Sequence, residues 1–335
     1  MPASAMKAVY SEQHLKHHPK AYFRGGAFHD PPEIPARAEA IRAAMQDAGH
    51  IFVEAEDHGP GPRAGVHTPA YLAFLRSAHD RWQTLGSERD EVLPNIHPGR
   101  HMASLPSGLL GQVGYFTTDM SSPIGAHTYE AACASANLAV HATRLVLGNG
   151  AGVNGEAGEA AAYALCRPPG HHAFADQAGG FCFLNNIAIA AEYALGEVRR
   201  VAIVDVDVHH GNGTQSIFYR RREVLTISLH CDSDDFYPFF AGQAHERGEG
   251  EGSGLNHNLP LPKGSSDNTY LSALAGALDV IGEYAPDMLF VALGFDGYEH
   301  DPFEGFRITT EGFGRIGAAI GELGLPTVFI QEGGY

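Results

Sequence analysis

Short apolar runs alternate along the chain with longer segments in which apolar residues recur at helical spacing. The runs occupy 160–165, 200–208, 224–229, 288–293 and 327–331, and the last four contain β-branched residues. The helical segments are 36–49, 69–85, 128–147, 185–195, 267–284 and 310–323. Near-continuous apolar strands between helices are typical of a parallel sheet that is covered on both faces. The pattern therefore predicts a single doubly wound α/β domain over residues 1–335, with a mainly parallel sheet and helices on both faces.

Two long segments show neither a continuous apolar run nor apolar residues at helical spacing. Residues 21–35 contain three prolines and two glycines, which predicts a long loop. Residues 86–123 have no clear period, and loops of this length are often functional. Because ligands of such sheets bind beyond the carboxyl ends of the strands, we expect the second segment to lie at that edge or in an oligomer contact.

The composition narrows the classes of protein that fit this fold. The 335 residues include 22 Lys+Arg and 39 Asp+Glu, which gives a formal net charge of −17. This balance argues against a nucleic-acid partner, which needs clustered cations at phosphates, and it suits small cationic molecules better. No apolar stretch approaches the ~20 residues of a membrane span, and the N-terminal sequence lacks the apolar core of a secretion signal. We therefore expect a cytoplasmic protein with no membrane partner, whose four separated cysteines are reduced thiols.

Three residues that can bind a metal alternate at the end of one apolar run. In VDVDVHHG, Asp205, Asp207 and His209 would point to the same side of an extended strand. A row of buried anions needs compensation, which a bound cation supplies. Asp296 follows another apolar run, so Asp207, His209 and Asp296 would give three ligands and leave one position open. That set is typical of catalytic zinc, although a lone Asp-x-Asp-x-His segment is more often a polar cluster or a helix cap.

Two further elements offer groups for acid-base chemistry. His171 and His172 follow the run at 160–165 within RPPGHHA, and a histidine on a rigid turn can carry protons near neutral pH. Tyr335 follows the last run within EGGY, where a phenol can donate to a developing oxyanion, although alone it reads as an ordinary end-of-strand tyrosine. The histidine clusters at 14–18 and 97–101 are expected to be solvated. The agreement of four distant elements on one hydrolytic site favours the functional interpretation.

Six sequence blocks in fixed order resemble the histone deacetylase superfamily, and within it the bacterial acetylpolyamine amidohydrolase and histone-deacetylase-like amidohydrolase branch. The blocks are RPPGHHA at 167–173, GGFCFLNN at 179–186, DVDVHHGNGTQ at 205–215, SLH at 228–230, LGFDGYEHDP at 293–302 and EGGY at 332–335. The resemblance covers about Lys7 to Tyr335. It implies the arginase-deacetylase fold and the hydrolysis of an N-acetyl amide to acetate and a free amine.

The resemblance also implies roles for individual residues. The implied ligands of a zinc ion, or alternatively of iron, are Asp207, His209 and Asp296. His172 would be the general base and then the general acid, with His171 as its electrostatic neighbour. Asp205 would orient His171 and Asn212 would orient His172, as outer partners of metal sites do. Tyr335 would polarise the acetyl carbonyl.

The remaining implied residues line a substrate tunnel or bind other ions. Phe181 and Tyr237 would form the tunnel walls beside Gly180, and the second wall is more usually phenylalanine. The implied ligands of a structural potassium ion are Asp205, Asp207, His209, Ser228 and Leu229. Arg37 is expected beneath the site, where it could attract acetate.

The substrate is less well defined than the reaction. Polyamine-specialised relatives carry a glutamate where this chain has Leu110, just before GQVGY. The nearby acidic residues that could replace it are Glu88, Asp90, Glu91 and Asp119. We rank acetylpolyamines or related small cationic N-acetyl alkylamines first and protein acetyl-lysine second. A non-catalytic acetyl-amine binder and a two-manganese ureohydrolase are the remaining alternatives.

Two expectations concern assembly and chain length. The long segments 21–35 and 86–123 resemble those of the dimeric polyamine branch, so we expect a homodimer. Family members continue past the tyrosine of EGGY, so we expect this sequence to be cut short after Tyr335.

Overall fold

A computed structural model describes residues 5–148 and 158–335 of the chain. The strands within these residues are β1 (Lys7–Tyr10), β2 (Tyr22–Arg24), β3 (Ala27–His29), β4 (Ile51–Glu54), β5 (Ala161–Ala164), β6 (Val201–Asp205), β7 (Val224–Cys231), β8 (Asn256–Leu261), β9 (Met288–Leu293) and β10 (Thr327–Gln331). The α-helices are α1 (Pro35–Asp47), α2 (Gly61–Val66), α3 (Pro69–Gln83), α4 (Leu109–Tyr115), α5 (Thr128–Leu147), α6 (Asn186–Ala194), α7 (Asn212–Phe218), α8 (Asp267–Tyr284) and α9 (Thr310–Gly321).

Eight of these strands form one sheet in the order β4-β1-β5-β10-β9-β6-β7-β8. All neighbouring pairs in this sheet are parallel. Because β10 and β9 lie between β5 and β6, the carboxyl ends of β5, β10, β9, β6 and β7 are consecutive along one edge of the sheet. Each of the predicted site elements follows, or forms the end of, one of these five strands.

Both faces of the sheet are buried under helices. On β6, Ile203 packs in a core with residues of α5 and α6, whereas the next residue, Val204, packs in a second core with residues of α8 and α9. Successive side chains of a strand point to opposite faces, so a strand that is buried on both sides reads as a continuous apolar run. Each such side chain contributes roughly 1.5–3 kcal/mol on burial. The predicted α/β fold class with a mainly parallel sheet is confirmed.

The six predicted helices are confirmed, and their ends differ from the predicted ends by at most two residues. The apolar runs are all strands, but the run at 200–208 is a strand only as far as Asp205. The sequence pattern did not indicate β1, β4 or β8. These strands are short or carry polar residues, and β4 lies at the edge of the sheet, where its side chains are only partly buried.

Several loop predictions need correction. Residues 21–35 are not a featureless loop, because β2 and β3 pair as a hairpin across Gly25 and Gly26. Both glycines have positive φ, at 58° and 84°, which is what a tight two-residue hairpin turn requires. His14 and His17 are buried rather than solvated, since His14 contacts Tyr10 and Glu39 and His17 contacts Thr128.

The segment 86–123 contains one helix, α4, and takes part in two isolated bridges, one between Val92 and Ile124 and one between Thr117 and Ala178. The C-terminal part of this segment contacts the loop between β5 and α6, where the backbone N–H of Thr118 donates to the carbonyl of Ala178 at 2.8 Å. This contact agrees with the expectation that the segment lies at the edge formed by the carboxyl ends of the strands.

Candidate active site

Asp207, His209 and Asp296 lie together at the centre of this edge. One possible ligand atom from each residue lies within 4.8 Å of the other two, and all three residues are buried. Nδ1 of His209 is 3.1 Å from Oδ1 of Asp207 and 3.0 Å from Oδ2 of Asp296. Asp207 and His209 follow β6 and Asp296 follows β9, its neighbour in the sheet. The structure therefore brings together the three residues that the sequence indicated as metal ligands.

The backbone between Asp205 and His209 is a turn, so the extended strand predicted there is wrong. Oδ1 of Asp205 accepts the N–H of Asp207 at 3.1 Å, and Oδ1 of Asp207 accepts the N–H of His209 at 2.9 Å. Aspartate side chains that bond to the backbone two residues ahead compete with strand pairing in this way. The turn directs Asp207 and His209 to one group and Asp205 toward the neighbouring His171, whereas a strand would align all three.

The electrostatics of the group favour a bound cation. Burial raises the pKa of Asp296 to about 7, helped by the nearby Asp207. Burial alone would lower the pKa of His209, but its contacts with Asp207 and Asp296 outweigh it and raise the pKa to about 9. Burial also opposes ionisation of Asp207, yet the neighbouring histidines hold its pKa below the usual value. Two carboxylates and one imidazole nitrogen that converge in a buried site match the donor set of catalytic zinc, so the residues fit such an ion.

The histidine pair lies beside the metal group, on the turn that follows β5. Nδ1 of His171 is 2.9 Å from Oδ2 of Asp205, and Nδ1 of His172 is 2.8 Å from Oδ1 of Asn212. The His172 ring is 5.8 Å from the His209 ring, centroid to centroid. Both predicted orienting partners are thus in hydrogen-bonding contact with the histidines to which they were assigned.

The two histidines have opposite electrostatic environments. Burial disfavours the charged form of both, but Asp205 and Asp207 more than compensate at His171 and raise its pKa well above the usual value. At His172, burial acts together with the positive charges of His171 and His209, so its pKa falls well below the usual value. Neighbouring groups whose pKa values are pushed apart are typical of acid-base sites.

Tyr335 lies on the turn after β10, between aromatic rings and charged groups. Its ring is 5.7 Å from that of Phe181 and 5.1 Å from that of Phe303, and its backbone N–H donates to Oδ2 of Asp301 at 2.8 Å. The guanidinium of Arg37 lies 4.4 Å above the tyrosine ring. The aromatic and cationic contacts hold the ring at the edge of the site, and burial raises the pKa of its phenol well above the usual value.

Arg37 is engaged with the same turn. Its Nη2 donates to the carbonyl of Glu332 at 2.8 Å, its Nε donates to the carbonyl of Gly334, and its Nη1 donates to Glu33 at 3.0 Å. The expected position beneath the site agrees with this geometry, but each of the three guanidinium nitrogens already has a protein partner.

The predicted tunnel residues lie over the histidines. The Tyr237 ring meets the His172 ring edge-on, with centroids 4.9 Å apart. The hydroxyl of Tyr237 donates to Oδ2 of Asp119 at 2.6 Å, and the same oxygen accepts the N–H of Gly180 at 2.9 Å. The other wall residue, Phe181, packs against Tyr335 as described above. Asp119 thus connects one wall to the segment 86–123.

The residues expected to bind potassium lie at the paired ends of β6 and β7, where Asp205 is the register partner of Ser228. A small cavity of about 10 Å³ is lined by both of these residues. Leu229 follows in β7 and is fully buried. Ser228 Oγ is 2.9 Å from Nδ1 of His230.

Sequence reasoning did not indicate the supporting contacts of several carboxylates that the structure places at the site. Oε2 of Glu332 accepts the N–H groups of Gly170 at 2.6 Å and of His171 at 3.1 Å, so it fastens the histidine turn. Asp301 accepts from Tyr335, and Asp119 accepts from the tunnel wall. Glu332 and Asp301 fall inside the matched blocks, which was the available signal, but the partners of all three residues are distant in sequence.

Comparison with known proteins shows the family to which the chain belongs. The family model described as "Histone deacetylase domain" matches residues 31–335. The chain therefore belongs to the histone deacetylase domain family and is a hydrolytic deacetylase.

Its individual relatives include amidohydrolases that match over nearly the whole length. The chain is 46% identical to acetylpolyamine amidohydrolase of Burkholderia pseudomallei over 320 residues, which cover 95% of this chain and 91% of that protein. It is 43% identical to acetylpolyamine amidohydrolase 1 of Pseudomonas aeruginosa over 336 residues, 98% of this chain and 94% of that protein. A crystal structure of acetylpolyamine aminohydrolase from Burkholderia pseudomallei matches with a TM-score of 0.93 and 45% identity, over 99% of this chain and 94% of that chain. Among the described residues, no helix combines the length and apolarity needed to cross a membrane.

Proposed function

We propose that this protein is a zinc-dependent amidohydrolase that removes acetyl groups from small cationic N-acetylated alkylamines and releases acetate. The observation that carries the proposal is the pairing of a buried three-ligand metal group with two adjacent histidines of opposite electrostatic character. Iron is the alternative metal for the same ligands.

The histidines supply the proton transfers. Because Oδ1 of Asn212 can only accept, the proton of neutral His172 sits on Nδ1, which leaves Nε2 free to act as a base. As water attacks the acetyl carbonyl carbon, Nε2 of His172 takes the proton that the water loses. The same nitrogen returns that proton to the amine nitrogen as the C–N bond breaks, so acetate and a free amine are the products. His171, charged beside Asp205, acts as the electrostatic neighbour of this transfer.

The remaining groups act on the carbonyl. A zinc ion held by Asp207, His209 and Asp296 supplies a Lewis acid that polarises the carbonyl and increases the acidity of water. Tyr335 donates its phenol proton as a hydrogen bond to the oxygen on which negative charge develops. Its raised pKa keeps the phenol protonated for this role. Arg37, stacked on the face of the tyrosine ring, remains the residue proposed to attract the acetate product.

The substrate proposal is supported by the printed activities of the relatives and by the shape of the site. Acetylpolyamine amidohydrolases match over nearly the full length of the chain. Phe181 and Tyr237 offer apolar faces to an alkyl chain, and the net charge of −17 favours the approach of a cation. A peptide acetyl-lysine is the second candidate, because Leu110 is half exposed and offers no carboxylate for a distal ammonium.

The experiment is to measure acetate release from N-acetylputrescine and from an acetyl-lysine peptide by the zinc-loaded protein. Turnover of the first in preference to the second supports the proposal. Preference for the peptide supports the second candidate, and binding of either compound without acetate release would identify a non-catalytic binder.

Three further parts of the proposal concern organisation. The eight-stranded sheet includes both the first strand, β1, and the last, β10, so both ends of the described chain belong to one sheet. This supports a single deacetylase domain. The paired positions of Asp205 and Ser228 at the ends of β6 and β7 support a structural potassium ion. The exposed apolar residues of the segment 86–123 support a homodimer contact there, and they are Ile96, Met102, Leu105 and Leu110. Light scattering coupled to size-exclusion chromatography tests the dimer.

A further inference from the structure

A buried carboxylate that is not one of the reacting groups pairs with two arginines. Each of these arginines supports or begins a turn that carries reacting groups. Glu33, just before α1, is 0% exposed. Its Oε1 accepts Nη1 of Arg37 at 3.0 Å and lies 2.7 Å from Nε of Arg167. His17 approaches the other oxygen, with Nε2 at 3.6 Å from Oε2. One carboxylate thus forms ion pairs with two arginines that are 130 positions apart in the sequence.

Each arginine belongs to a different half of the catalytic machinery. Arg37 donates to the carbonyls of Glu332 and Gly334, and it lies against the ring of Tyr335, so it supports the tyrosine turn. Arg167 begins the turn that carries the histidine pair and is fully buried. Its Nη1 donates to the carbonyl of His14 at 2.6 Å, which anchors the start of that turn.

We propose that Glu33 is a positioning residue that sets the tyrosine turn and the histidine turn relative to each other through Arg37 and Arg167. The inference rests on the proposed function, in which Tyr335 and His172 act on opposite ends of the same amide. Reacting groups must be held within about 0.5 Å of the productive geometry, and misplacement by ~1 Å can cost ~100-fold in rate. Two turns that follow neighbouring strands need a common support to keep that precision.

The charge state of Glu33 agrees with this role. Burial favours the neutral carboxyl, but the charges of Arg167 and Arg37 outweigh it, so the pKa of Glu33 lies below its usual value. The glutamate is therefore ionised between two buried guanidinium groups. A neutral residue of the same shape would leave both arginines without their counter-charge, and their contacts with the two turns would relax.

The test is Glu33→Gln, assayed as the zinc-loaded full chain with N-acetylputrescine, with Glu39→Gln as the matched control. Glu39 also lies on α1 and bonds to Tyr10 and His14, but it has no contact with either turn. We expect Glu33→Gln to lower kcat at least ~10-fold, with KM changed less than ~threefold and zinc content unchanged. Glu39→Gln is expected to keep kcat within ~twofold of the wild type.

A double-mutant cycle with Tyr335→Phe separates positioning from general loss of stability. If Glu33 acts through the two turns, Glu33→Gln lowers kcat by a smaller factor in the Tyr335→Phe background than in the wild type. Equal factors in both backgrounds, or an unchanged kcat with only a lower melting temperature, overturn the inference. If Glu33→Gln does not fold, Glu33→Asp takes its place, since it keeps the charge but is one methylene too short to reach both arginines. A kcat equal to that of the wild type in Glu33→Asp overturns the inference as well.

The wild-type assay distinguishes a failure of the proposed function from a failure of the role inferred for Glu33. A zinc-loaded wild type that releases no acetate from N-acetylputrescine or from the acetyl-lysine peptide overturns the proposed function, and the inference falls with it. An active wild type with an equally active Glu33→Gln variant overturns the inference alone.

Discussion

The bottom of the site and its rim differ in burial and in the structural elements that form them. At the bottom, Asp207 and Asp296 are 0% exposed, and a backbone N–H donates to each carboxylate. At the rim, Phe239 packs beside Tyr237 and is 49% exposed. The bottom is fixed by the ends of five adjacent parallel strands, whereas the rim comes from loops and from the segment 86–123. The difference indicates that the chemistry is set by the sheet and the choice of substrate by the loops.

Asp119 is one of the residues at which the two regions meet. Its carboxylate binds the hydroxyl of Tyr237 and the N–H of Gly180, directly above His172. If the two regions are separable, substitutions at the bottom should abolish turnover of every substrate alike. Substitutions at the rim should change the preference between substrates and leave the metal in place.

The largest effect is expected from loss of a metal ligand. Asp207→Asn removes the negative charge that binds the cation, and metal catalysis contributes several kcal/mol, each ~1.4 kcal/mol of which is tenfold in rate. A loss of about 4 kcal/mol of this stabilisation corresponds to ~1,000-fold in rate. We therefore expect zinc content to fall and kcat to drop at least ~1,000-fold for all acetylated amines. Metal analysis and acetate release measure both. Asp279→Asn, on the exposed side of α8, is the matched control and should behave as the wild type.

A smaller but still large effect is expected from loss of the base. His172→Ala removes the proton carrier and should lower kcat at least ~100-fold while zinc stays bound, because general acid-base catalysis contributes ~100- to 10,000-fold. His18→Ala, an exposed histidine of the N-terminal segment, is the control. Activity of His172→Ala within a few-fold of the wild type would contradict the assignment of this histidine as the base.

The smallest effect is expected at the rim. Leu110→Glu places a carboxylate on the exposed face of α4, where it can pair with a distal ammonium. We expect kcat/KM for N-acetylspermidine to rise by up to about fivefold relative to an acetyl-lysine peptide, since exposed ion pairs contribute ~0.2–1 kcal/mol. The gain should shrink at high salt. Leu110→Gln is the isosteric control, and an equal gain in that variant would exclude a charge effect.

The sequence predicts the bottom of the site better than the rest of the molecule, for a physical reason. Asp207, His209 and Asp296 stand directly after strands that are buried on both faces, and such strands are recognisable as continuous apolar runs. Parallel strands bring their carboxyl ends to one edge, so the residues that follow neighbouring strands meet. The residue types that follow the strand runs indicated acid-base chemistry for His171 and His172 and an oxyanion donor in Tyr335, and the family resemblance then assigned the base to His172.

The supporting residues could not be predicted in the same way. Glu33 is paired with Arg167 across 134 positions of the sequence, Asp119 with Gly180 across 61 and Glu332 with Gly170 across 162, and no local pattern encodes such pairs. The burial of His14 and His17 was missed for the same reason, because helix α5 and the first turn of α1 cover them only after folding. Edge strands such as β4 are also difficult to predict, since their side chains are only partly buried.

The close approach of Gly333 to the metal group has a consequence for how freely this sequence can vary. Its N–H donates to Oδ2 of Asp207 at 2.8 Å, and a Cβ at this position would lie 2.6 Å from the same oxygen and would also overlap Asp296. In a saturation library we expect position 333 to tolerate glycine alone, although the residue contributes no side chain to the reaction. Position 110, by contrast, should accept most amino acids. Mutational tolerance would then map the boundary between the fixed and the adaptable parts of the enzyme without any knowledge of its substrate.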